Sequence, residues 1–183
     1  MENPISVAVV GAGMMGADIA LCFALQAREV LLKDIRMEYA AAGKERIEKI
    51  LKKWEKKGKI DSEKSRKCFE RIFPREDYSG FEEVDLVVEA VVEEVEIKQK
   101  TFEELDDVCK QTCIFATNTS SIPITQLAGY TRRPDRFIGM HFFSPASIMK
   151  LVEVIPGVDS SQNTIQKTMD LAGGIGKEPI LTA

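Results

Sequence analysis

The chain reads VAVVGAGMMG from Val7 to Gly16, so four apolar residues run directly into a glycine-rich turn. Gly11, Gly13 and Gly16 have the G-x-G-x-x-G spacing that opens a dinucleotide-binding strand–turn–helix unit. The first glycine permits the tight turn, the second lets the backbone approach a pyrophosphate, and the third lets the helix pack close to the strand. The N-terminus of that helix then offers unpaired N–H groups and partial positive charge to the phosphates. This motif predicts a dinucleotide site at the start of the chain.

Asp34 predicts which dinucleotide binds. It lies at the end of a second apolar run, where a carboxylate accepts hydrogen bonds from the adenosine ribose and repels a 2′-phosphate. This position favours NAD as the cofactor. Arg36, two residues later, is the kind of residue that accommodates a 2′-phosphate, so NADP remains the alternative.

Length and composition exclude several classes of protein. The chain of 183 residues has 44% hydrophobic and 30% charged residues, as expected for one globular domain over residues 1–183. Its net charge of −4 argues against a general nucleic-acid binder. No apolar run approaches the about 20 residues that a membrane helix needs. The first four residues, MENP, lack the features of a signal peptide, so we expect a cytoplasmic protein without a membrane partner.

The cysteines do not predict a metal site. Cys109 and Cys113 are four residues apart, but there is no second close cysteine pair, and the single histidine, His141, is distant in sequence. We therefore expect a reduced thiol set and no metal.

Two hydrophobic periodicities alternate along the chain. Short, continuous apolar runs are typical of buried parallel strands, whereas apolar residues at i, i+3, i+4 and i+7 indicate helices. Their alternation predicts an α/β fold of the Rossmann type, doubly wound, with a mostly parallel sheet. The predicted strands cover residues 5–10, 29–34, 71–73, 84–88, 114–117, 136–140, 150–155 and 179–181. The predicted helices cover residues 14–27, 37–57, 94–108 and 160–171, with another starting at residue 61.

The helices at 37–57 and from residue 61 predict a helical hairpin inserted between the second and third strands. Residues 44–59 hold eight lysines and arginines against three glutamates. Two interpretations stay open: a solvated helix face, or a patch that meets the phosphates of a nucleotide-bearing substrate.

Polar residues follow two later strands. Asn118-Thr119-Ser120-Ser121 ends the strand at 114–117, where open α/β sheets bind ligands, although such a cluster also serves in turns and helix caps. His141 and Glu153 each lie within an apolar stretch. A carboxylate in a buried strand needs a partner, and an imidazole oriented by a carboxylate is a general base. A satisfied core histidine is the alternative.

Five motifs together resemble the NAD-binding domain of the 3-hydroxyacyl-CoA dehydrogenases. They lie in order along the chain, at residues 11–16, 87–93, 118–121, 139–145 and 150–155. That family oxidises the 3-hydroxyl group of an acyl-CoA thioester, with NAD as the hydride acceptor. The resemblance implies an acyl-CoA substrate and a role in fatty-acid β-oxidation or a related pathway.

The resemblance also implies residue roles. His141 is expected to be the general base and Glu153 its orienting partner. Ser120 is expected to hydrogen-bond the substrate oxygen, with Asn118 beside it. The basic hairpin resembles the family element that meets the CoA nucleotide.

The implied cofactor contacts lie in four places along the chain. They are Gly11, Gly13, Met14, Met15, Gly16, Asp34, Glu93, Lys98 and Ser144. The family usually has Asn at the last of these positions, so the shorter Ser144 is expected to make a weaker or water-mediated contact with the nicotinamide half of the cofactor.

The resemblance further implies a helical domain after residue 181, which covers the substrate and forms the dimer. This chain is therefore expected to be the cofactor domain alone, folded but poorly active. Two other functions stay open: a dehydrogenase of a CoA-free hydroxy acid, and a catalytically silent NAD-binding module.

Overall fold

A computed structural model describes residues 6–182 of the chain. The start of the first predicted strand, at residue 5, lies outside this range. Numbered in chain order, the strands are β1 Val7–Val10, β2 Val30–Lys33, β3 Ile72–Arg75, β4 Leu86–Glu89, β5 Ile114–Thr117, β6 Phe137–Phe142, β7 Leu151–Pro156 and β8 Glu178–Leu181. The helices are α1 Met14–Leu25, α2 Met37–Lys56, α3 Ser62–Glu70, α4 Val95–Val108, α5 Ile124–Ala128 and α6 Gln162–Gly174.

All eight strands form one sheet in the order β3-β2-β1-β4-β5-β6-β7-β8. Neighbouring strands are parallel except for β7, which runs antiparallel to β6. The strand order reverses between β1 and β4, and such a switch point leaves a crevice at the carboxyl ends of the strands. The Rossmann-type prediction is confirmed.

Helices cover both faces of the sheet. One hydrophobic cluster joins the strands to α1, α2, α3 and α6, and the other joins them to α4 and α5. The central strands are buried on both faces, which explains why they read as continuous apolar runs.

The glycine turn after β1 is held by close backbone contacts. Gly11 has a φ of +97°, which favours glycine, and a Cβ there would lie 2.5 Å from the carbonyl oxygen of Ala90. A Cβ on Gly16 would lie 1.7 Å from the carbonyl oxygen of Gly11. The first glycine therefore permits the turn and the third permits the close packing of α1, as the motif predicts.

The inserted hairpin consists of α2 and α3, between β2 and β3. Asp61 caps α3 by accepting a hydrogen bond from the Lys64 backbone N–H at 2.7 Å. Trp54 and Phe69 pack against the same hydrophobic cluster as α1, which fixes the hairpin beside the glycine turn.

Two strands extend past the limits predicted at proline residues. Strand β3 includes Pro74, because β3 is the outer strand of the sheet and pairs only with β2. Strand β7 likewise includes Pro156, opposite Ile138. The environment of Glu153 also differs from the prediction, because β7 alternates between buried and partly exposed residues and leaves this side chain 29% exposed.

Candidate active site

Two cavities open along the carboxyl ends of the strands, where the switch point predicts a ligand. The larger has a volume of about 760 Å³ and contains both the glycine turn and Asp34. The smaller has a volume of about 370 Å³ and contains His141. Ala90 and Val91, after β4, line both cavities, so the loop after β4 separates them.

Asp34 is held against the glycine turn. One carboxylate oxygen accepts from the Ala12 backbone N–H at 2.7 Å, and the other accepts from the Ile35 N–H at 2.7 Å. A carboxylate has about four acceptor positions, so capacity remains for the hydroxyls of a ribose. Asp34 thus lies on the wall of the larger cavity, and the hydrogen bonds from Ala12 and Ile35 fix the orientation of its carboxylate.

The larger cavity fits the adenosine and pyrophosphate portions of NAD. Gly13 lies on its wall at the start of α1, and a Cβ there would meet no atom within 4 Å. The first turn of α1 contains no acidic residue, so the positive end of the helix is not offset by a carboxylate there.

The smaller cavity brings together most of the predicted catalytic residues. Besides the two residues shared with the larger cavity, its wall consists of Met15, Glu93, Lys98, Asn118, Ser120, His141, Phe142, Phe143 and Ser144. These residues come from four separate regions of the chain. The adjoining position of the two cavities fits a dinucleotide whose adenosine half lies in the larger and whose nicotinamide half lies in the smaller.

His141 and Glu153 form a direct pair. They lie opposite one another in the antiparallel register of β6 and β7, and His141 Nδ1 is 2.7 Å from Glu153 Oε2. An ionised carboxylate only accepts hydrogen bonds, so Nδ1 carries the proton and Nε2 is left as an acceptor. The two side chains are 20% and 29% exposed, and His141 is the member of the pair that lines the cavity.

Asn118 and Ser120 reach the cavity because the segment after β5 is held close to β6. Asn118 Oδ1 accepts from the Phe142 backbone N–H at 2.8 Å, which joins the ends of β5 and β6. Gly139 lets α5 pack directly on β6, because a Cβ at this position would lie 2.8 Å from the Ile124 side chain of α5.

Glu93 organises the loop that contains Ser120. Its Oε1 accepts from the Thr119 hydroxyl at 2.5 Å and from the Ser120 backbone N–H at 3.0 Å, and its Oε2 lies 3.2 Å from Lys98 Nζ. Burial by itself raises the pKa of Glu93, but these donors outweigh it and lower the pKa to about 2. The carboxylate is therefore ionised at neutral pH.

Glu89, at the end of β4, is a residue of this site that the sequence analysis missed. It is completely buried, and its oxygens accept from Lys98 Nζ at 2.6 Å, the Val91 N–H at 2.7 Å and the Thr117 hydroxyl at 2.6 Å. Lys98 is only 1% exposed and bridges Glu89 to Glu93. The signal in the sequence is an acid that directly follows a buried strand, because such a carboxylate needs a partner.

Two predicted cofactor residues lie elsewhere. Gly16 packs behind the turn and lines neither cavity, whereas Met14 lines a third, basic groove of about 480 Å³. Five cationic side chains of the hairpin line that groove: Arg46, Lys49, Lys53, Lys57 and Lys59. Met14 adjoins Met15, and the groove residue Pro145 adjoins Ser144, so the groove opens beside the smaller cavity. The contacts of the predicted site residues with ligands stay predictions.

Within residues 6–182, no cluster of three or more His, Cys, Asp or Glu side chains has the arrangement of a metal site. Over the same range, no helix has the length and apolar character to span a membrane. The four cysteines are buried and none forms a disulfide.

The chain is similar to dehydrogenases of known structure. A 3-hydroxybutyryl-CoA dehydrogenase from Escherichia coli K12 is 37% identical, with a TM-score of 0.95 over 98% of this chain and 38% of that one. An (S)-3-hydroxybutyryl-CoA dehydrogenase from Ralstonia eutropha is 36% identical, with a TM-score of 0.95 over 98% of this chain and 63% of that one. A diketoreductase that acts on dicarbonyl compounds is 30% identical, with a TM-score of 0.93 over 100% of this chain and 65% of that one. The chain thus spans less than two thirds of the length of each.

The family comparison agrees with the geometry of the site. The model of the 3-hydroxyacyl-CoA dehydrogenase NAD-binding domain matches residues 6–183, and this match identifies the cofactor as NAD. The glycine turn, Asp34 and the adjoining cavities account for that cofactor in physical terms. On the match over residues 6–183 and the similarity to solved structures, this chain belongs to the 3-hydroxyacyl-CoA dehydrogenase family, within its NAD-binding domain.

Proposed function

We propose that this chain is the cofactor domain of an enzyme that oxidises the 3-hydroxyl of a 3-hydroxyacyl-CoA to the 3-ketoacyl-CoA. The observation that carries the proposal is the His141–Glu153 pair, whose histidine lines a cavity adjoining the glycine-turn cavity. NAD, when bound, accepts a hydride. The residues around it then need only bind the alcohol and remove its proton.

His141 is the proposed general base. Nδ1 donates to Glu153, so Nε2 accepts the proton of the substrate hydroxyl as the hydride leaves C3. The imidazole becomes positively charged in this step, and the carboxylate 2.7 Å away favours that charged form. Glu153 therefore fixes the tautomer and the orientation of the ring.

Ser120 and Asn118 are the proposed substrate-positioning residues. The Ser120 hydroxyl is exposed in the cavity, 3.5 Å from Glu93 Oε1, and has capacity for a hydrogen bond to the substrate oxygen. Asn118 uses Oδ1 to hold Phe142, so its amide N–H groups are the donors it can offer. Glu93 keeps the Ser120 loop in place.

The basic groove is the proposed site for the nucleotide of CoA. Five cations face a groove that also contains the apolar side chains of Met14, Trp54 and Ile148. Phosphates suit the cations, and the groove at Met14 and Pro145 adjoins the cavity that contains His141, where the uncharged arm of the thioester would lie. Of the two interpretations of the basic hairpin face, the groove supports a phosphate site.

We also propose that residues 1–183 form a single NAD-binding domain, because both hydrophobic clusters of residues 6–182 pack on one sheet. The helical domain expected from the resemblance would cover the substrate and form the dimer. A cytoplasmic location and a role in fatty-acid β-oxidation or a related pathway are further proposals, supported by four unpaired cysteines and by the similarity to 3-hydroxybutyryl-CoA dehydrogenases.

A CoA-free hydroxy acid is the second candidate substrate. The similarity to a diketoreductase favours it, since that enzyme acts on dicarbonyl compounds. The two substrates differ in their need for the basic groove, because only a CoA ester has phosphates to bind there.

The test measures NAD reduction by the protein, together with the helical domain that the resemblance implies, with 3-hydroxybutyryl-CoA and with free 3-hydroxybutyrate. We expect turnover of the thioester only, abolished in His141→Gln. Lys53→Gln should raise KM for the thioester, whereas Lys52→Gln should not, because Lys52 lies on the same helix but pairs with Glu48 outside the groove. Equal turnover of the free acid would favour the second candidate, and NAD binding without turnover of either would favour a silent module.

A further inference from the structure

The wall of the larger cavity holds a lysine that the cofactor motif does not explain. Lys33 is the last residue of β2, directly before Asp34, and is only 7% exposed. Its backbone carbonyl accepts from the Gly11 N–H at 2.8 Å, so the main chain is fixed to the glycine turn. Its Nζ lies 4.4 Å from the centre of the Tyr78 ring, and both side chains line the cavity.

The ammonium group of Lys33 has no acidic partner. Among residues 6–182 it makes neither an ion pair nor a side-chain hydrogen bond, while Asp34 is bonded to backbone N–H groups and Glu104 to the Tyr78 hydroxyl. No fully buried side-chain nitrogen or oxygen in this range lacks a partner, so the Nζ is reached from the cavity rather than sealed away. A nearly buried ammonium is costly unless an acceptor meets it.

The surroundings indicate a neutral acceptor. Asp34, Glu96 and Glu104 line the cavity against two cations, Lys33 and Lys100, so this part of the wall, unlike the start of α1, does not favour an anionic group. Ile35 and Ile97 are exposed apolar side chains of the same cavity. A flat, uncharged heteroaromatic ring with acceptor nitrogens at its edge fits both features.

We propose that Lys33 recognises the adenine base of the bound dinucleotide by donating a hydrogen bond from Nζ to a ring nitrogen of adenine. The inference rests on the proposed function, in which this cavity holds the adenosine half of NAD. Tyr78 holds the ammonium through its ring face, and the two isoleucines supply apolar contact for the base. Lys33 thereby adds base recognition to the ribose recognition of its neighbour Asp34.

The experiment compares NAD with three analogues in which N1, N3 or N7 of the adenine is replaced by CH, using calorimetric titration of the protein. One analogue should bind about tenfold or more weakly than NAD, the effect of losing a hydrogen bond to a charged group. Lys33→Met should weaken NAD binding by the same factor. The variant should bind that analogue no more weakly than it binds NAD. Lys67→Met, which removes a lysine on α3 outside the cavity, is the matched control and should bind NAD like the wild type.

Four outcomes are distinguishable. If the wild type does not bind NAD, the proposed function itself fails. If NAD binds but all three analogues bind equally well, the base contact is refuted while the proposed function stands. This comparison uses the wild-type protein, so it does not depend on whether a variant folds. If Lys33→Met weakens NADP more than NAD, the ammonium serves a phosphate and the inference is overturned. If the variant and the single analogue show the same, non-additive loss, the inference is supported.

Discussion

Two carboxylate–base pairs lie at the same edge of the sheet and differ in exposure. Glu89 and Lys98 are sealed, with side chains 0% and 1% exposed, whereas Glu153 and His141 are 29% and 20% exposed. In the sealed pair both carboxylate oxygens are engaged by Lys98, Val91 and Thr117. In the open pair, His141 Nε2 makes no hydrogen bond within residues 6–182. The sealed pair fixes the backbone between the two cavities, and the open pair is available for proton transfer.

The largest expected effect concerns the sealed pair. Glu89→Ala leaves the Lys98 ammonium buried with Glu93 as its single remaining carboxylate partner, and breaking a buried ion pair costs about 3–5 kcal/mol of unfolding free energy. Urea unfolding of the protein measures this loss. Glu153→Ala is the matched control, because its partly exposed carboxylate should cost about 1 kcal/mol or less. Equal losses of unfolding free energy in Glu89→Ala and Glu153→Ala would show that the two pairs do not differ in their contribution to stability.

A smaller effect is expected at the ribose. Asp34→Ala removes the carboxylate that repels a 2′-phosphate, so the preference for NAD over NADP should narrow by about tenfold, the size of a modest charge interaction. Calorimetric titration with both cofactors measures it. Tighter binding of NADP than of NAD by the unmodified protein would show that Arg36 outweighs Asp34.

A pH dependence of stability is also expected from Glu93. Its pKa is lowered in the folded protein from 4.5 to about 2, so its contribution to stability is present above pH 4.5 and is lost as the pH falls toward 2. Glu93→Gln should therefore reduce the fall in unfolding free energy between these two pH values. If both proteins lose the same stability over that interval, the Thr119, Ser120 and Lys98 contacts do not stabilise the charged form.

The adenosine side of the site was predictable from sequence because it is local. Gly11, Gly13 and Asp34 lie within one strand–helix–strand unit, and their spacing alone indicates the backbone conformation and the acid. The strand order around β1 follows from the same unit.

The catalytic side depends on contacts between distant segments. The His141–Glu153 pair requires the register of β6 and β7, which a sequence does not specify directly, and it was inferred from chemistry and resemblance. Glu89 was missed because its partners lie nine and twenty-eight residues away. Lys33 was missed because Tyr78 comes to it from the segment after β3.

The most direct test of the proposed His141–Glu153 base is a double-mutant cycle on these two residues. It measures kcat of the protein, together with the helical domain that the resemblance implies, with 3-hydroxybutyryl-CoA for His141→Gln, Glu153→Gln and the double variant, and it also measures NAD affinity. If the pair acts as one unit, kcat should fall by about 100-fold or more in His141→Gln, and the double variant should be little worse. NAD affinity should stay within a factor of about two, a change of less than 0.5 kcal/mol. Additive losses, or normal kcat in Glu153→Gln, would show that Glu153 is a structural partner only and would contradict the proposed mechanism.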